Sequence, residues 1–417
     1  MSNAILINNV QTASHALVNV LIEGACFSKI SNEPIQAPEG CEIVDGTGFA
    51  IIPPFYNGHC HAAMSLLRGY ADDMPLQSWL NDAIWPMEAK MTAEDIEVGS
   101  RLAVLEMIKS GTVFFADMYW EEQETVRVVD EMGIRAAIGL SIMDRLSDDV
   151  KDHLFELAKH PYSTDRISTT VAPHAIYTVS TDLLRKCKAV ADENNLYLNV
   201  HLAETLVEDE NCRKQYGGLS PVQYMNSIGL LDNKTILGHV VHVDQLDQEL
   251  LAKSGAISVH NPASNMKLSS GVFKFSEMKK NGCTVVLGTD GASSNNNLDM
   301  LEEMKLAALL AKVNDNPEAG SATDIFDMST RIAAQAFGID AGEIKEGKLA
   351  DALLVDLNNE KLVPNYNLIS NLVYSADSSC VDSVICNGRF VMRNRVVPGE
   401  EEIIDRAKFI CENLPKR

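Results

Sequence analysis

The sequence has few basic residues for its length, and its cysteines are not paired. Its 417 residues include 35 Lys and Arg against 58 Asp and Glu, which gives a formal net charge of −23. Such an acidic surface repels phosphate backbones, so nucleic acid is not an expected partner. Nine cysteines are scattered from Cys26 to Cys411 with no C-x-x-C pair. An odd number of unpaired cysteines is typical of reduced thiols, and we therefore expect a cytoplasmic protein.

The sequence also lacks the features of a membrane or secreted protein. The N-terminus has neither a basic segment nor a long apolar segment, so no signal peptide is predicted. No apolar run reaches the roughly 20 residues of a membrane-spanning helix, and no membrane contact is expected. Hydrophobic residues nevertheless make up 46% of the chain. The length and composition together fit a large barrel with an accessory domain.

Short strand patterns occur at both ends of the chain, separated by turn residues. They cover residues 5–7, 16–22, 41–44, 352–356, 381–386 and 390–392. Because both ends of the chain carry the same pattern around one long middle segment, the two ends are predicted to form one unit. We expect a small β-sandwich domain built from residues 1–52 and 348–417.

The middle of the chain, residues 53–347, alternates short apolar runs with helical stretches. The first strand follows the apolar run that ends at residues 51–53 and leads to His59 and His61. The next seven runs cover residues 113–117, 135–140, 168–172, 196–200, 235–237, 256–259 and 284–287. Eight βα units in series predict an α/β fold, the (β/α)8 TIM barrel.

Polar side chains recur at the ends of these predicted strands. Residues i and i+2 of a strand point to the same face, so the imidazoles of His59 and His61 can reach one metal ion. Five further polar residues follow the later strands: His174, His201, His239, His260 and Asp290. In a TIM barrel the active site lies at the C-terminal ends of the strands. We therefore expect these side chains to surround one site.

Imidazole and carboxylate ligands predict one divalent metal, most simply Zn²⁺, with Fe²⁺ as the alternative. The predicted ligands are His59, His61, His201 and Asp290. A metal of this kind lowers the pKa of a bound water to about 7, giving hydroxide at neutral pH. Glu204 lies three residues after His201 and can carry the proton of that water to a leaving group. His239 can hydrogen-bond the hydroxide or stabilise the intermediate.

Each of these residues also has a simpler interpretation. Asp290 precedes a glycine and could belong to an ordinary turn, and Glu204 could be a solvated charge at a helix start. His174 and His260 could be core histidines that are satisfied by neighbouring polar groups. Cys60 should point away from its histidine neighbours by strand alternation, so we expect it to contribute to packing.

Several longer motifs make the sequence recognisable as a whole. It resembles the amidohydrolase superfamily and, within it, the 5-methylthioadenosine/S-adenosylhomocysteine deaminases and related chlorohydrolases. The likeness covers almost the whole chain and is carried by the motifs at 53–61, 66–73, 79–80, 173–174, 201–205, 238–239, 260–268, 288–296 and 347–351.

The resemblance implies one metal, usually zinc, on the same four ligands, with proton transfers by Glu204 and His239. Some amidohydrolases carry a carbamylated lysine at the end of strand four, but this chain has His174 there, which favours a mononuclear site. The resemblance also implies that Glu88 contacts ribose hydroxyls and that His174 contacts the substrate, through a purine ring nitrogen for example. Trp79 and Ser294 are the other expected substrate contacts.

One segment departs from the family pattern. Members that accept S-adenosylhomocysteine have arginines after strand three, which can pair with the carboxylate of the substrate. In this sequence Leu140 falls at such a position, and Arg145 is the nearest arginine that could replace it. The departure favours a smaller adenosine derivative.

The sequence therefore predicts a metal-dependent hydrolytic deaminase of an adenosine-type nucleoside that releases ammonia. Its expected substrates are 5'-methylthioadenosine, S-adenosylhomocysteine or a smaller adenosine derivative. Two alternatives remain open: a chlorohydrolase or a deaminase of guanine, a pterin or a triazine, and a non-catalytic barrel that binds a metal or ligand. The only predicted partner is a small-molecule substrate, and the sequence leaves a homo-oligomer open.

Overall fold

The computed structural model describes residues 4–417, and its strands form two sheets. The first is a mixed sheet built from both ends of the chain. Its strands are β1 (Ala4–Thr12), β2 (Leu17–Glu23), β3 (Cys26–Ser31), β4 (Glu42–Asp45), β5 (Phe49–Ile52), β14 (Ala352–Asp356), β15 (Val381–Cys386) and β16 (Arg389–Met392). They lie in the order β16-β15-β14-β5-β1-β2-β3, with β4 beside β1.

The second sheet is a barrel of eight parallel strands in chain order. Its strands are β6 (Phe55–Cys60), β7 (Thr112–Tyr119), β8 (Arg135–Ile142), β9 (Ile167–Pro173), β10 (Tyr197–Leu202), β11 (Thr235–His239), β12 (Ile257–His260) and β13 (Thr284–Leu287). The predicted TIM barrel is thus confirmed. The first and last strands meet where the backbone N–H of Asp290 donates to the carbonyl of His59 at 3.0 Å.

Helices follow the barrel strands, and further helices lie at the mouth of the barrel and in the C-terminal part of the chain. They are α1 (Leu76–Ser78), α2 (Trp85–Glu88), α3 (Ala93–Ser110), α4 (Glu122–Met132), α5 (Asp148–Lys159), α6 (Thr181–Glu193), α7 (Leu206–Gln215), α8 (Pro221–Ser227), α9 (Gln245–Ser254), α10 (Pro262–Lys267), α11 (Phe275–Lys280), α12 (Met300–Asn314), α13 (Ala322–Ser329), α14 (Arg331–Ala336), α15 (Leu368–Tyr374) and α16 (Glu400–Asn413). A π-helical segment, Trp79–Ile84, connects α1 to α2. Within residues 4–417, none of these helices combines the length and the apolar character needed to cross a membrane.

The structure adds detail to the predicted strand pattern. The apolar run before the paired histidines, Phe49–Ile52, pairs with β1 and β14 in the mixed sheet and lies outside the predicted barrel segment of residues 53–347. Only Phe55–Cys60, after two prolines, forms the first barrel strand. Strand Cys26–Ser31 was not predicted, because the exposed residues Ser28 and Lys29 interrupt its apolar pattern.

A buried ion pair ties the two sheets together. The guanidinium of Arg135, at the start of β8, donates to both carboxylate oxygens of Asp351, next to β14, at 2.8 and 3.1 Å. The same carboxylate accepts the hydroxyl of Tyr56 at 3.0 Å and the backbone N–H of Asn387 at 2.7 Å. Because every oxygen of the carboxylate has partners, burial of this charge is compensated.

Candidate metal centre and active site

The barrel brings the four predicted ligands together at the C-terminal ends of three strands. Nε2 of His59 and Nε2 of His61 lie 3.5 and 3.3 Å from Oδ1 of Asp290. Nε2 of His201 lies 3.2 Å from Nε2 of His61. All four residues are buried or nearly so. The geometry therefore depends on β6 and β13 being neighbours, as closure of the barrel requires.

The unshared electron pairs of these imidazoles need a cation. Nδ1 of His61 contacts the carbonyl of Met118 at 2.6 Å, and Nδ1 of His201 contacts the carbonyl of His174 at 2.8 Å. Each Nδ1 must therefore be the protonated nitrogen, so in the neutral rings two lone pairs on Nε2 face each other across 3.2 Å. Both ring nitrogens of His59 are buried without a hydrogen-bond partner. Three imidazoles and a carboxylate arranged in this way fit a divalent metal.

The two carboxylate oxygens of Asp290 have different neighbours. Its Oδ1 faces the histidines, while its Oδ2 accepts the hydroxyls of Ser264 at 2.6 Å and Ser294 at 2.8 Å. Burial alone would raise the pKa of Asp290, but the neighbouring imidazoles of His59 and His61 hold it well below its usual value. The carboxylate is therefore ionised and fixed in rotation.

Glu204 and His239 lie beside this cluster, on neighbouring strand ends. Oε2 of Glu204 is 3.8 Å from Nε2 of His239, and Nδ1 of His239 is held at 2.9 Å by Oδ1 of Asn265. The hydroxyl of Ser270 donates to Oε1 of Glu204 at 3.2 Å. Burial raises the pKa of Glu204, against the effect of His239. Burial would lower the pKa of His239, but the charges of Glu204 and Asp290 raise it. Both pKa values are thus raised, and a carboxyl with a raised pKa is a better proton acceptor than an ordinary one.

Backbone strain is concentrated at these strand ends. Ala203, His239, Val240 and Asp290 adopt positive φ values of 54°, 73°, 49° and 63°. Such conformations are unfavourable for residues other than glycine, and they persist where the surroundings hold them. Here they turn the chain directly after β10, β11 and β13, so that the side chains point into the barrel mouth.

A narrow pocket opens from this cluster, and every predicted substrate contact lines it. Its wall includes Trp79, Glu88, His174 and Ser294, together with Trp85, Tyr119, Met143, Arg145 and Tyr177. A larger cleft of about 900 Å³ lies elsewhere, between the mixed sheet, α4 and α16. That cleft contains none of the histidines. We therefore identify the smaller pocket as the candidate active site.

Within the pocket, Glu88 has the clearest role as a polar contact. It is 5% exposed, and Oε1 accepts the hydroxyl of Tyr119 at 2.8 Å. Burial raises the pKa of its carboxyl to about 7, against the hydrogen bond from Tyr119. The second carboxylate oxygen remains available to a ligand. Sequence reasoning found Glu88 only through the family resemblance and missed Tyr119, which has no polar pattern around it.

Three other predicted contacts differ in how they are held. The indole N–H of Trp79 donates to the carbonyl of Ala71 at 3.0 Å, so the ring presents apolar surface. Nδ1 of His174 contacts the hydroxyl of Thr178 at 2.9 Å, and burial lowers the pKa of His174 to about 3. The hydroxyl of Ser294 is engaged by Asp290, although the residue lines the pocket.

Leu140 and Arg145 lie in different environments. Leu140 is completely buried in the core, whereas Arg145 lines the pocket with its guanidinium 4.8 Å from the ring centre of Trp85. Arg145 forms no ion pair within the described part of the chain, so its charge is available to a ligand.

Two other residues lie in the core and not in the pocket. His260 stacks on Phe273, with ring centres 4.4 Å apart, but its Nδ1 is buried without a hydrogen-bond partner among the described residues. Cys60 is fully buried in the core. The residues that sequence reasoning missed, Ser264 and Asn265, lie in the 260–268 motif and contact Asp290 and His239. Their types alone gave no signal, because serine and asparagine are also common turn residues.

Comparison with known proteins places this site in context. The chain is 42% identical over 419 residues to a 5'-deoxyadenosine deaminase of Methanosphaera stadtmanae, covering 98% of this chain and 97% of that protein. It is 43% identical to a 5-methylthioadenosine/S-adenosylhomocysteine deaminase of Archaeoglobus fulgidus, over 95% of each chain.

Solved structures have the same architecture. An adenosine deaminase from Xanthomonas campestris with bound zinc superimposes with a TM-score of 0.92 at 29% identity, covering 99% of this chain and 98% of that one. An atrazine chlorohydrolase from Arthrobacter aurescens with zinc reaches a TM-score of 0.88 at 21% identity, covering 98% and 100%, and shares the fold. Residues 50–391 match the amidohydrolase family profile. The chain belongs to the amidohydrolase family.

Proposed function

We propose that this protein is a metal-dependent hydrolytic deaminase of an adenosine-type nucleoside. The observation that carries the proposal is the carboxyl of Glu204 beside a cluster of three histidines and one aspartate, in a pocket that also holds Glu88. The names of the two relatives with 42% and 43% identity support the same activity and substrate class. Residues 53–347 would form the catalytic domain, with residues 1–52 and 348–417 as the accessory β domain.

The proposed metal ligands are His59, His61, His201 and Asp290, and we infer Zn²⁺ as the metal, with Fe²⁺ as the alternative. The zinc in the solved adenosine deaminase and the ligand types support this choice. A divalent metal held there supplies Lewis acidity, which makes water a nucleophile at neutral pH.

Glu204 performs the proton transfers in the proposed reaction. It accepts a proton from the attacking water and delivers it to the ring nitrogen next to the amino-bearing carbon. It then moves the remaining proton of that hydroxyl, now on the attacked carbon, to the amino group, whose bond to the carbon breaks, so that ammonia leaves and the carbonyl forms. His239, 3.8 Å from the carboxylate, stabilises the oxygen that develops negative charge on the attacked carbon. The products are ammonia and an inosine-type nucleoside.

The rest of the pocket determines which nucleoside binds. Glu88 would accept hydrogen bonds from the ribose hydroxyls, and His174 would contact the base. Trp79, Trp85 and Tyr119 offer aromatic surface to a neutral 5' substituent. Arg145 lines the pocket and would form an ion pair with an anionic 5' substituent. Leu140 is buried in the core.

An ammonia-release assay on the zinc-loaded protein tests the proposal. The substrates are adenosine, 5'-deoxyadenosine, 5'-methylthioadenosine and S-adenosylhomocysteine, with guanine and a pterin as comparisons. We expect turnover of the adenosine compounds, and a loss of at least about 100-fold for Glu204→Gln with its zinc retained. Arg145→Met should impair only S-adenosylhomocysteine. Full turnover by a metal-free preparation, or no ammonia from any adenosine compound, would contradict the proposal.

A further inference from the structure

A second buried glutamate lies one helical turn after Glu204. Glu208, in the first turn of α7, is 7% exposed, does not line the pocket, and forms no ion pair with any described residue. Its Oε1 accepts the backbone N–H of Ala203 at 3.0 Å, and its Oε2 accepts the backbone N–H of Glu204 at 2.9 Å. The two carboxylate oxygens therefore hold two successive amides.

Those amides belong to the turn that directs Glu204 into the pocket. Ala203 has a φ of +54°, which is unfavourable for alanine and requires support from its surroundings. On the other side of the turn, the carbonyl of Ala203 accepts the backbone N–H groups of Val241 and His242, each at 2.9 Å. The peptide before Glu204 is thus fixed from both sides.

Helix capping does not account for this arrangement. Thr205 is the N-cap of α7 and accepts the N–H of Glu208, so an ordinary capping box would direct the Glu208 carboxylate to the N–H of Thr205. The same chain has two complete capping boxes, in which Asp95 and Asp247 accept the N–H of their own N-cap residues. Glu208 instead accepts the N–H groups of Glu204 and Ala203, the two residues that precede its N-cap.

We propose that Glu208 is a positioning residue for Glu204. Its carboxylate selects the orientation of the Ala203–Glu204 peptide, and through it the direction of the side chain that transfers the proton. This inference rests on the proposed function, since it assigns Glu208 to the same reaction. A displacement of about 1 Å of a catalytic group can reduce a rate about 100-fold, which sets the expected scale.

Glu208→Asp separates positioning from capping. Aspartate at this helix position caps α3 and α9 in the same chain, so the variant keeps the charge and can form an ordinary capping box with Thr205. It is one methylene too short to hold both amides. We expect kcat for 5'-deoxyadenosine to fall about 10- to 100-fold, with KM within about three-fold and the zinc content unchanged.

Three further variants complete the experiment. Glu210→Gln, on the same helix but exposed, is the matched control and should retain full activity. Glu208→Gln keeps the size of the side chain and should lose kcat like Glu208→Asp, because an amide N–H₂ would face a backbone donor. In a Glu204→Gln background, Glu208→Asp should lower the residual rate by less than about two-fold, since the group that it positions is already removed.

The inference is overturned if Glu208→Asp keeps its kcat, since capping would then suffice. It is also overturned if the variant loses zinc or changes mainly in KM, or if its effect is equal with and without Glu204. Should Glu208→Asp fail to fold, the isosteric Glu208→Gln decides by the same criteria. Failure of the proposed function looks different, because the unmodified protein would then release no ammonia from 5'-deoxyadenosine.

Discussion

The two serines on Asp290 provide the sharpest quantitative prediction about the metal centre. Their hydroxyls donate to Oδ2 at 2.6 and 2.8 Å, so that Oδ1 stays directed at the histidines. A hydrogen bond to a charged group contributes about 1.5–3 kcal/mol. Removing either hydroxyl by Ser264→Ala or Ser294→Ala therefore frees the carboxylate to rotate, and we expect zinc to bind about 10- to 100-fold more weakly.

Ser293→Ala is the matched control for this experiment. Ser293 is as buried as Ser294 and precedes it directly, but its hydroxyl contacts only the sulfur of Met64, at 3.0 Å. Its removal should change zinc affinity by less than about two-fold. Zinc dissociation constants are measured by competition with a chromophoric chelator, and ammonia release is measured at saturating zinc.

Two results would refute this reasoning. Equal zinc affinity in the parent and all three variants would show that the hydroxyls do not orient the carboxylate. A raised KM for Ser294→Ala at unchanged zinc affinity would instead favour the interpretation of Ser294 as a substrate contact. The double variant should cost less than the sum of the single variants, because both hydroxyls act on the same oxygen.

Three other predictions follow from buried charges. Glu88→Gln should raise KM for 5'-deoxyadenosine at least about 10-fold, with little effect on zinc content. Unchanged kinetics would contradict the proposed contact between Glu88 and the ribose, and would favour a free base as the substrate. Burial raises the pKa of Glu303 from 4.5 to about 8, so its protonated form contributes stability that is complete below pH 4.5 and lost as the pH rises to about 8. The melting temperature of Glu303→Gln should therefore rise relative to that of the parent as the pH increases from 4.5 to about 8. A difference in melting temperature that stays constant over this pH range would contradict the prediction. Arg135→Met leaves the Asp351 carboxylate buried without its cation and should lower the free energy of unfolding by about 3–5 kcal/mol in urea denaturation, whereas a loss below about 1 kcal/mol would show that Asp351 is satisfied by its other partners.

The barrel and the identity of the metal-site side chains could be predicted from local sequence. Alternation along β6 places His59 and His61 on one face, and the eight apolar runs give the strand count. Three predicted strands, at 284–287, 352–356 and 381–386, agree with the structure to the residue. Strand Cys26–Ser31 was not predicted, because Ser28 and Lys29 are exposed at the edge of the sheet and interrupt the apolar pattern.

The supporting residues could not be predicted in the same way. Asn265 and Ser264 act on groups 26 residues away in sequence, and Glu208 acts on backbone amides rather than on a side chain. Likewise, only the tertiary structure shows that Arg145, in the loop after β8, lines the pocket while Leu140, in β8 itself, is buried in the core.

The sequence by itself determined the periodicity of the strands and the type of group at each strand end, because both are local properties of the chain. The tertiary structure alone decided that His59 and Asp290 are neighbours, since this requires β6 and β13 to close the barrel through the hydrogen bond from Asp290 to His59. It also decided which hydroxyls, amides and carboxylates hold each of the proposed catalytic side chains in one orientation. Those contacts join residues from different strands and helices, and no local pattern encodes them.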